Sequence, residues 1–147
     1  MSSATWTRPP ADSTRLVVDT DVASFVFKWH PVFAPRYTAT LRGSELVVSF
    51  MTLAEMRQGS LEANWGPRKC DVLEAYLAEF SVLHSDGPLC SLWAAVRNES
   101  TRKGRQRSSA DAWIAATALL LAAPLVTNNP NDFRHLDELR LVSRMAG

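Results

Sequence analysis

Four carboxylates stand where an apolar, strand-like run gives way to a helix-like run. Asp19 closes Leu16-Val17-Val18, and Glu55 follows Leu46-Val47-Val48-Ser49-Phe50. Asp111 opens Ala112-Trp113-Ile114-Ala115-Ala116, behind a strand that is inferred, and Asp132 follows Leu125-Val126-Thr127. In a parallel α/β sheet, strands that feed helices end on one edge, so acids far apart in sequence converge there. Ionised carboxylates gathered in a partly dry cleft repel one another strongly. A hard divalent cation with oxygen ligands, Mg²⁺ or Mn²⁺, relieves that repulsion. The chemistry such a site serves is hydrolysis of phosphate esters, where the ion activates water and offsets charge on the phosphoryl oxygens.

The elements that must carry these acids are legible in outline. Arg15 to Val18 reads as a first strand, with Thr20 or Asp21 capping a helix through about Trp29. Pro31 and Pro35 break the chain before a short helix that ends near Gly43. Leu46 to Phe50 is a continuous β-branched apolar run of strand length. Thr52 then starts a helix with Leu53, Met56, Ser60, Leu61 and Trp65 on one face. After Gly66-Pro67 a second stripe runs through Val72, Leu73, Tyr76, Leu77 and Phe80. Ser81 to His84 is a third strand, and Asp86-Gly87-Pro88 a turn into a helix with Leu89, Leu92, Trp93 and Val96 on one side. Arg102 to Ser109 is a polar, basic loop. Asp111 to Ala123 has no polar face, which marks a buried central helix. Leu125 to Thr127 is a fourth strand and Arg140 to Val142 a fifth, at the edge. Strands alternating with helices predict an α/β fold, a parallel sheet of four to five strands covered on both faces. The pattern leaves strand order open.

Each acid also has a purely structural explanation. Asp19 and Asp21 suit a helix N-terminus. Thr52-Leu53-Ala54-Glu55 matches a capping box, in which Glu55 reaches back to the Thr52 amide. Asp111 lies in a first turn, where negative charge complements the helix dipole. Asp132 follows Asn-Pro-Asn and suits an Asx turn. Caps chosen for stability alone could equally be Ser, Thr or Asn, yet all four junctions supply carboxylates. Their company favours a shared metal site.

The stretches around these acids, Leu16 to Ser24 (LVVDTDVAS), Val48 to Gly59 (VSFMTLAEMRQG), Ala110 to Leu120 (ADAWIAATALL) and Pro124 to Phe133 (PLVTNNPNDF), resemble the motifs of PIN-domain proteins. More narrowly, they resemble the VapC toxin ribonucleases of type II toxin–antitoxin modules. The resemblance covers nearly the whole chain after its N-terminal arm. It implies a compact three-layer α/β/α domain over 15–147 and a Mg²⁺- or Mn²⁺-dependent endoribonuclease. Asp19, Glu55 and Asp111 match the family's acidic triad. Asp132 is the favoured fourth acid, with Asn129 the competing position and Thr127 and Asn129 as polar supports. Asp21 stands where relatives usually carry Asn, so it is either a ligand or a helix cap. Ser24 either lines the site or packs. The resemblance also implies a homodimer and an antitoxin, supplied as a separate polypeptide, that inserts a segment near the acidic pocket. Two other readings stay open: a PIN-fold nuclease outside a toxin pair, acting in RNA processing or on DNA, and a catalytically silent PIN-fold binding module.

At 147 residues, with 46% hydrophobic and 21% charged, the composition is that of one soluble globular domain with a real core. A net charge of +1 excludes grip on nucleic acid by bulk charge. A local patch, Arg102, Lys103, Arg105 and Arg107, directly precedes the Asp111 helix and is the candidate RNA-backbone contact. Cys70 and Cys90 among apolar neighbours read as buried reduced thiols of a cytoplasmic protein. Trp29, Trp65, Trp93 and Trp113 read as core or interface residues, while His30, His84 and His135 show no ligand spacing. No apolar stretch reaches membrane-spanning length. Residues 1–14, polar and proline-containing, lack the apolar core of a secretory signal and read as a disordered arm, whose Trp6 could dock on a partner.

Overall fold

Runs of Val and Leu bounded by Pro, Gly and Asp fold as strands because β-branched side chains pack well on a pleated surface. The computed structural model describes residues 14–105 and 108–146. The arm containing Trp6, and Arg107 of the basic patch, lie outside the described residues. In chain order the elements are β1 (Arg15–Val18), α1 (Thr20–Phe27), α2 (Phe33–Leu41), β2 (Glu45–Ser49), α3 (Phe50–Glu62), α4 (Pro67–Leu77), β3 (Ser81–Leu83), α5 (Gly87–Arg102), α6 (Ser109–Leu121), β4 (Leu125–Val126) and β5 (Leu141–Val142). A 3₁₀ turn, Pro130–Asp132, separates β4 from β5.

Every strand pair is parallel, in the order β3-β2-β1-β4-β5. β1 therefore lies in the middle, with β2 on one side and β4 on the other. Connections leave it in both directions, which makes its C-terminal end the switch point where open α/β sheets hold their sites. The period-2 alternation of the strands divides the core. Leu16, Val18, Val48 and Val126 face a cluster with Val22, Tyr37 and Leu73 from α1, α2 and α4. Val17, Val47 and Leu125 face a cluster with Val96 of α5 and Ala112, Ile114 and Ala115 of α6. The three-layer α/β/α architecture expected above is thus the one observed. α6 is the buried helix its composition predicts, with Ala112 and Ile114 through Ala118 all inaccessible.

Several local expectations are corrected. α3 begins at Phe50, not at Thr52, because the Ser49 hydroxyl caps it by accepting from the Met51 amide at 3.1 Å. The Thr52–Glu55 capping box therefore does not form. Leu61 and Val72, placed on apolar stripes, are 75% and 55% exposed. Trp29 follows the end of α1 with a φ of 52° and is also largely exposed, outside the core. Asp86, expected in a turn, is the N-cap of α5 and accepts from the Leu89 amide. The basic run is partly helix: α5 continues to Arg102, and Gly104, at φ 66°, ends it by bonding the Thr101 carbonyl while Arg105 bonds that of Ser100. Cys90 is exposed on α5 and Cys70 half-buried, so neither is the buried thiol its neighbours suggested.

Candidate active site

β1 delivers Asp19 to the C-terminal edge of the sheet, and its amide is pinned there by the Val126 carbonyl of β4 at 2.9 Å. Asp19 is the N-cap of α1, and its side chain is spanned by two donors. Oδ1 accepts from the Thr20 amide and Oδ2 from the Thr127 hydroxyl, each at 2.8 Å. Thr127 is itself inaccessible, and its Oγ1 also accepts from the Asn129 amide at 3.0 Å. Asp19 remains only 7% exposed.

Asp21 lies one turn-edge further along. Both its oxygens are taken by backbone amides, Oδ1 by Val22 at 2.6 Å and Oδ2 by Asn128 at 3.1 Å. It thereby ties α1 to the loop after β4. Tyr37 of α2 supports that loop from below. Its buried hydroxyl donates to Asn128 Oδ1 at 2.7 Å and accepts from the Arg144 amide at 3.0 Å.

The remaining acids arrive from three other elements. Asp111 sits in the first turn of α6, where Ser108 Oγ accepts from its amide at 3.1 Å. Asp132 ends the 3₁₀ turn and accepts from Asn129 Nδ2 at 2.7 Å. Asp111 and Asp132 line one small hollow together with Ser100 and His135. Glu55 projects from α3 and accepts from the Thr20 hydroxyl at 2.7 Å, with Thr52 Oγ1 3.0 Å from the same hydroxyl.

Electrostatics link several of these carboxylates. Burial, then the negative charges of Asp21 and Asp111, push the Asp19 carboxyl well above the ordinary range, against the opposing pull of the Thr127 and Thr20 bonds. Asp21 is raised as well, first by burial and also by Asp132, while the amide bonds from Val22 and Asn128 hold it down. Asp19 thus feels Asp21 and Asp111, and Asp21 feels Asp132, more than a hundred residues away along the chain. Glu55 joins them through Thr20, whose amide and hydroxyl bridge the two carboxylates. Among the described residues, no three His, Cys, Asp or Glu side chains are already arranged as ligands around one point. The donor set is nevertheless all oxygen and net acidic, which is the chemistry a hard divalent ion requires.

Other expected site residues fare differently. Thr127 and Asn129 are in the site. Ser24 is half-buried on α1, and no hydrogen bond joins its side chain to the acids. Arg102 and Arg105 are exposed. Lys103 is occupied: its ammonium contacts Glu99 at 2.8 Å and Asp137 at 3.1 Å and donates to the His135 carbonyl. It belongs to a clamp on the surface and is not an open phosphate contact. Thr20 and Asn128 were missed as site residues. The signal for Thr20 was its place between two acids in Asp19-Thr20-Asp21.

An acidic cluster at the switch point of a parallel α/β/α sheet defines the class, and the PIN-domain family model matches residues 16–139. The chain belongs to the PIN-domain family. It is 28% identical over 125 residues to Ribonuclease VapC1 of Haemophilus influenzae (strain R2866), an alignment covering 84% of this chain and 93% of that protein. The structure of VapBC-1 from nontypeable Haemophilus influenzae superimposes with a TM-score of 0.75 at 26% identity, covering 88% of this chain and 98% of that one. VapBC-5 from Mycobacterium tuberculosis, a member of the VapBC family of toxin–antitoxin systems, superimposes with a TM-score of 0.63 at 25% identity and the same coverage.

Proposed function

We propose that this chain is a divalent-metal-dependent endoribonuclease, the toxin of a type II toxin–antitoxin pair. The observation that carries the reading is the buried Asp19 carboxylate, raised first by its burial and then by Asp21 and Asp111, at the edge where Asp132 and Glu55 also arrive. The similarity to proteins named VapC ribonucleases and to VapBC complexes supports the toxin assignment.

In this reading Asp19, Asp111 and Asp132 would hold Mg²⁺ or Mn²⁺, and Glu55 would complete the acidic set from α3, directly or through water. When bound, the ion supplies positive charge against the phosphoryl oxygens and acidifies a coordinated water. The chain does the rest. Thr20 and Thr127 fix both oxygens of Asp19, so it is oriented before anything binds. Asn129 orients Asp132, and Thr20 orients Glu55. Asp21, with both oxygens on backbone amides, holds the β4 loop against α1 and is a positioning residue, not a ligand. Arg102 and Arg105, both exposed, contact RNA phosphates. The antitoxin is a separate chain, and the toxin acts in the cytoplasm as a homodimer. No helix of the described residues is long and apolar enough to cross a membrane.

The test is induced expression with mapping of new RNA 5′ ends, beside Asp111→Asn. The variant should fold normally and lose cleavage by at least about 100-fold, as removal of a metal-site carboxylate commonly does. Asp111→Asn with full, EDTA-sensitive cleavage would remove Asp111 from the mechanism. A second reading, a silent PIN-fold binding module, draws on the lack of a ready three-ligand arrangement. Calorimetric Mg²⁺ titration separates the two, since a silent scaffold binds no ion.

A further inference from the structure

The turn that carries Asp132 is short, and one of the bonds on Asp132 is local. Asn129 Nδ2 orients the Asp132 side chain from within the same turn, which does not fix the turn relative to α6. Phe133 and Leu136 bury apolar surface against the α5–α6 side of the sheet, but such contacts are non-directional. A directional hold across to α5 comes three residues further on, at His135. Ser100 of α5, 3% exposed, places its Oγ 2.7 Å from His135 Nε2. Lys103, the C-cap residue of that helix three positions on, donates to the His135 carbonyl and is itself steadied by Glu99 and Asp137. One residue is therefore gripped at its ring and at its backbone by positions i and i+3, which share a helix face. Ser100 and His135 line the same hollow as Asp111 and Asp132. The grip is passed back to Asp132 through the Phe133 amide on the Pro130 carbonyl and the Leu136 amide on the Phe133 carbonyl, each at 3.0 Å.

We propose that His135 is a positioning residue: held by Ser100 and Lys103, it sets the Asp132 turn opposite Asp111 across the hollow. The inference deepens the metal-dependent reading and rests on it for its consequence, though the anchoring itself does not need an ion. Lys103 thereby has a use that its place in a basic run concealed.

The experiment compares His135→Leu, Ser100→Ala, Lys103→Met and the conservative His135→Gln in the full chain, with Leu139→Ala as a control that removes nearby apolar packing and leaves the grip intact. Two quantities are read: Mn²⁺ affinity by calorimetry and amide hydrogen exchange at Asp132 and Phe133 in metal-free protein. His135→Leu should weaken Mn²⁺ about 10-fold or more, the usual effect of removing an outer partner of a metal site. It should also speed local exchange by a similar factor, and His135→Gln should restore both to within about threefold. Leu139→Ala should lower thermal stability and leave Mn²⁺ affinity unchanged. Wild-type affinity and exchange in His135→Leu would overturn the proposal, as would equal loss of affinity in Leu139→Ala. Wild-type protein that binds no Mn²⁺ would overturn the proposed function instead, and the metal-free exchange comparison alone would then decide the anchor.

Discussion

Replacing Thr127 with Val should destabilise the protein by about 2–4 kcal/mol at neutral pH, although the two side chains have nearly the same shape. Thr127 is inaccessible, donates to Asp19 Oδ2 at 2.8 Å and accepts from the Asn129 amide at 3.0 Å. A hydrogen bond to a charged group contributes about 1.5–3 kcal/mol, and stranding the Asn129 amide costs about 1 kcal/mol more. For a chain of this length each kcal/mol moves the midpoint of thermal unfolding by roughly 2–4 °C, so a loss of about 5–15 °C is expected. Thr127→Ser keeps both bonds and forfeits one methyl, worth about 0.8 kcal/mol. Urea unfolding of the three proteins is the assay, with unchanged slopes required. The Val penalty should also shrink in acid, where Asp19 is protonated and the bond becomes an ordinary neutral one of about 1 kcal/mol. If Val and Ser behave alike, or if the Val penalty is the same in acid, the reasoning that this hydroxyl holds a buried carboxylate is wrong.

Three more outcomes follow from the same geometry. Asp19 and Asp21 titrate above their ordinary values in the folded chain, so the native state binds more protons than the unfolded one. Metal-free stability should therefore fall as pH rises from about 4 through the raised folded values, and Asp19→Asn should flatten that slope while adding stability at neutral pH, read from urea midpoints across the range. A steeper fall in the variant would contradict the sign. Tyr37→Phe should cost about 1–3 kcal/mol, because Asn128 Oδ1 and the Arg144 amide lose a buried partner; denaturation within about 0.5 kcal/mol of the parent would show that neither bond matters. Removing Arg102 and Arg105 together should reduce the slope of log affinity for RNA against log salt by about 1–2, whereas Lys103→Met should change it least.

Much of this molecule could be read before its structure, and the exceptions share a cause. β1, β2 and β4 announced themselves as unbroken apolar runs because strands buried on both faces need no polar alternation. α6 did so by lacking any polar face. The carboxylates at their ends were visible for the same reason, as charges at the close of apolar runs. What escaped was decided by partners distant in sequence. Thr52 to Glu55 spells a capping box, but Ser49 captured the helix start and Glu55 turned to Thr20, 35 positions away. Lys103 looked like one cation among several until Glu99, Asp137 and the His135 carbonyl claimed it. Strand order left no local trace because parallel neighbours are joined through helices. Asp21, open in the sequence between ligand and helix cap, accepts from the Asn128 amide, a partner no local pattern reveals.

The central placement of β1 has a consequence for how the protein comes into being. Asp19 leaves the ribosome long before Thr127 and β4, yet the hydroxyl and the strand that seat it belong to them, the hydroxyl 108 positions later. Domains emerge from the ribosome N-terminus first, and pairings this remote cannot form until both ends are free. A nascent or prematurely terminated chain would thus carry Asp19, Glu55 and even Asp111 without the floor that gathers them. The acid cluster therefore cannot be complete until Thr127 and β4 are free to dock against β1.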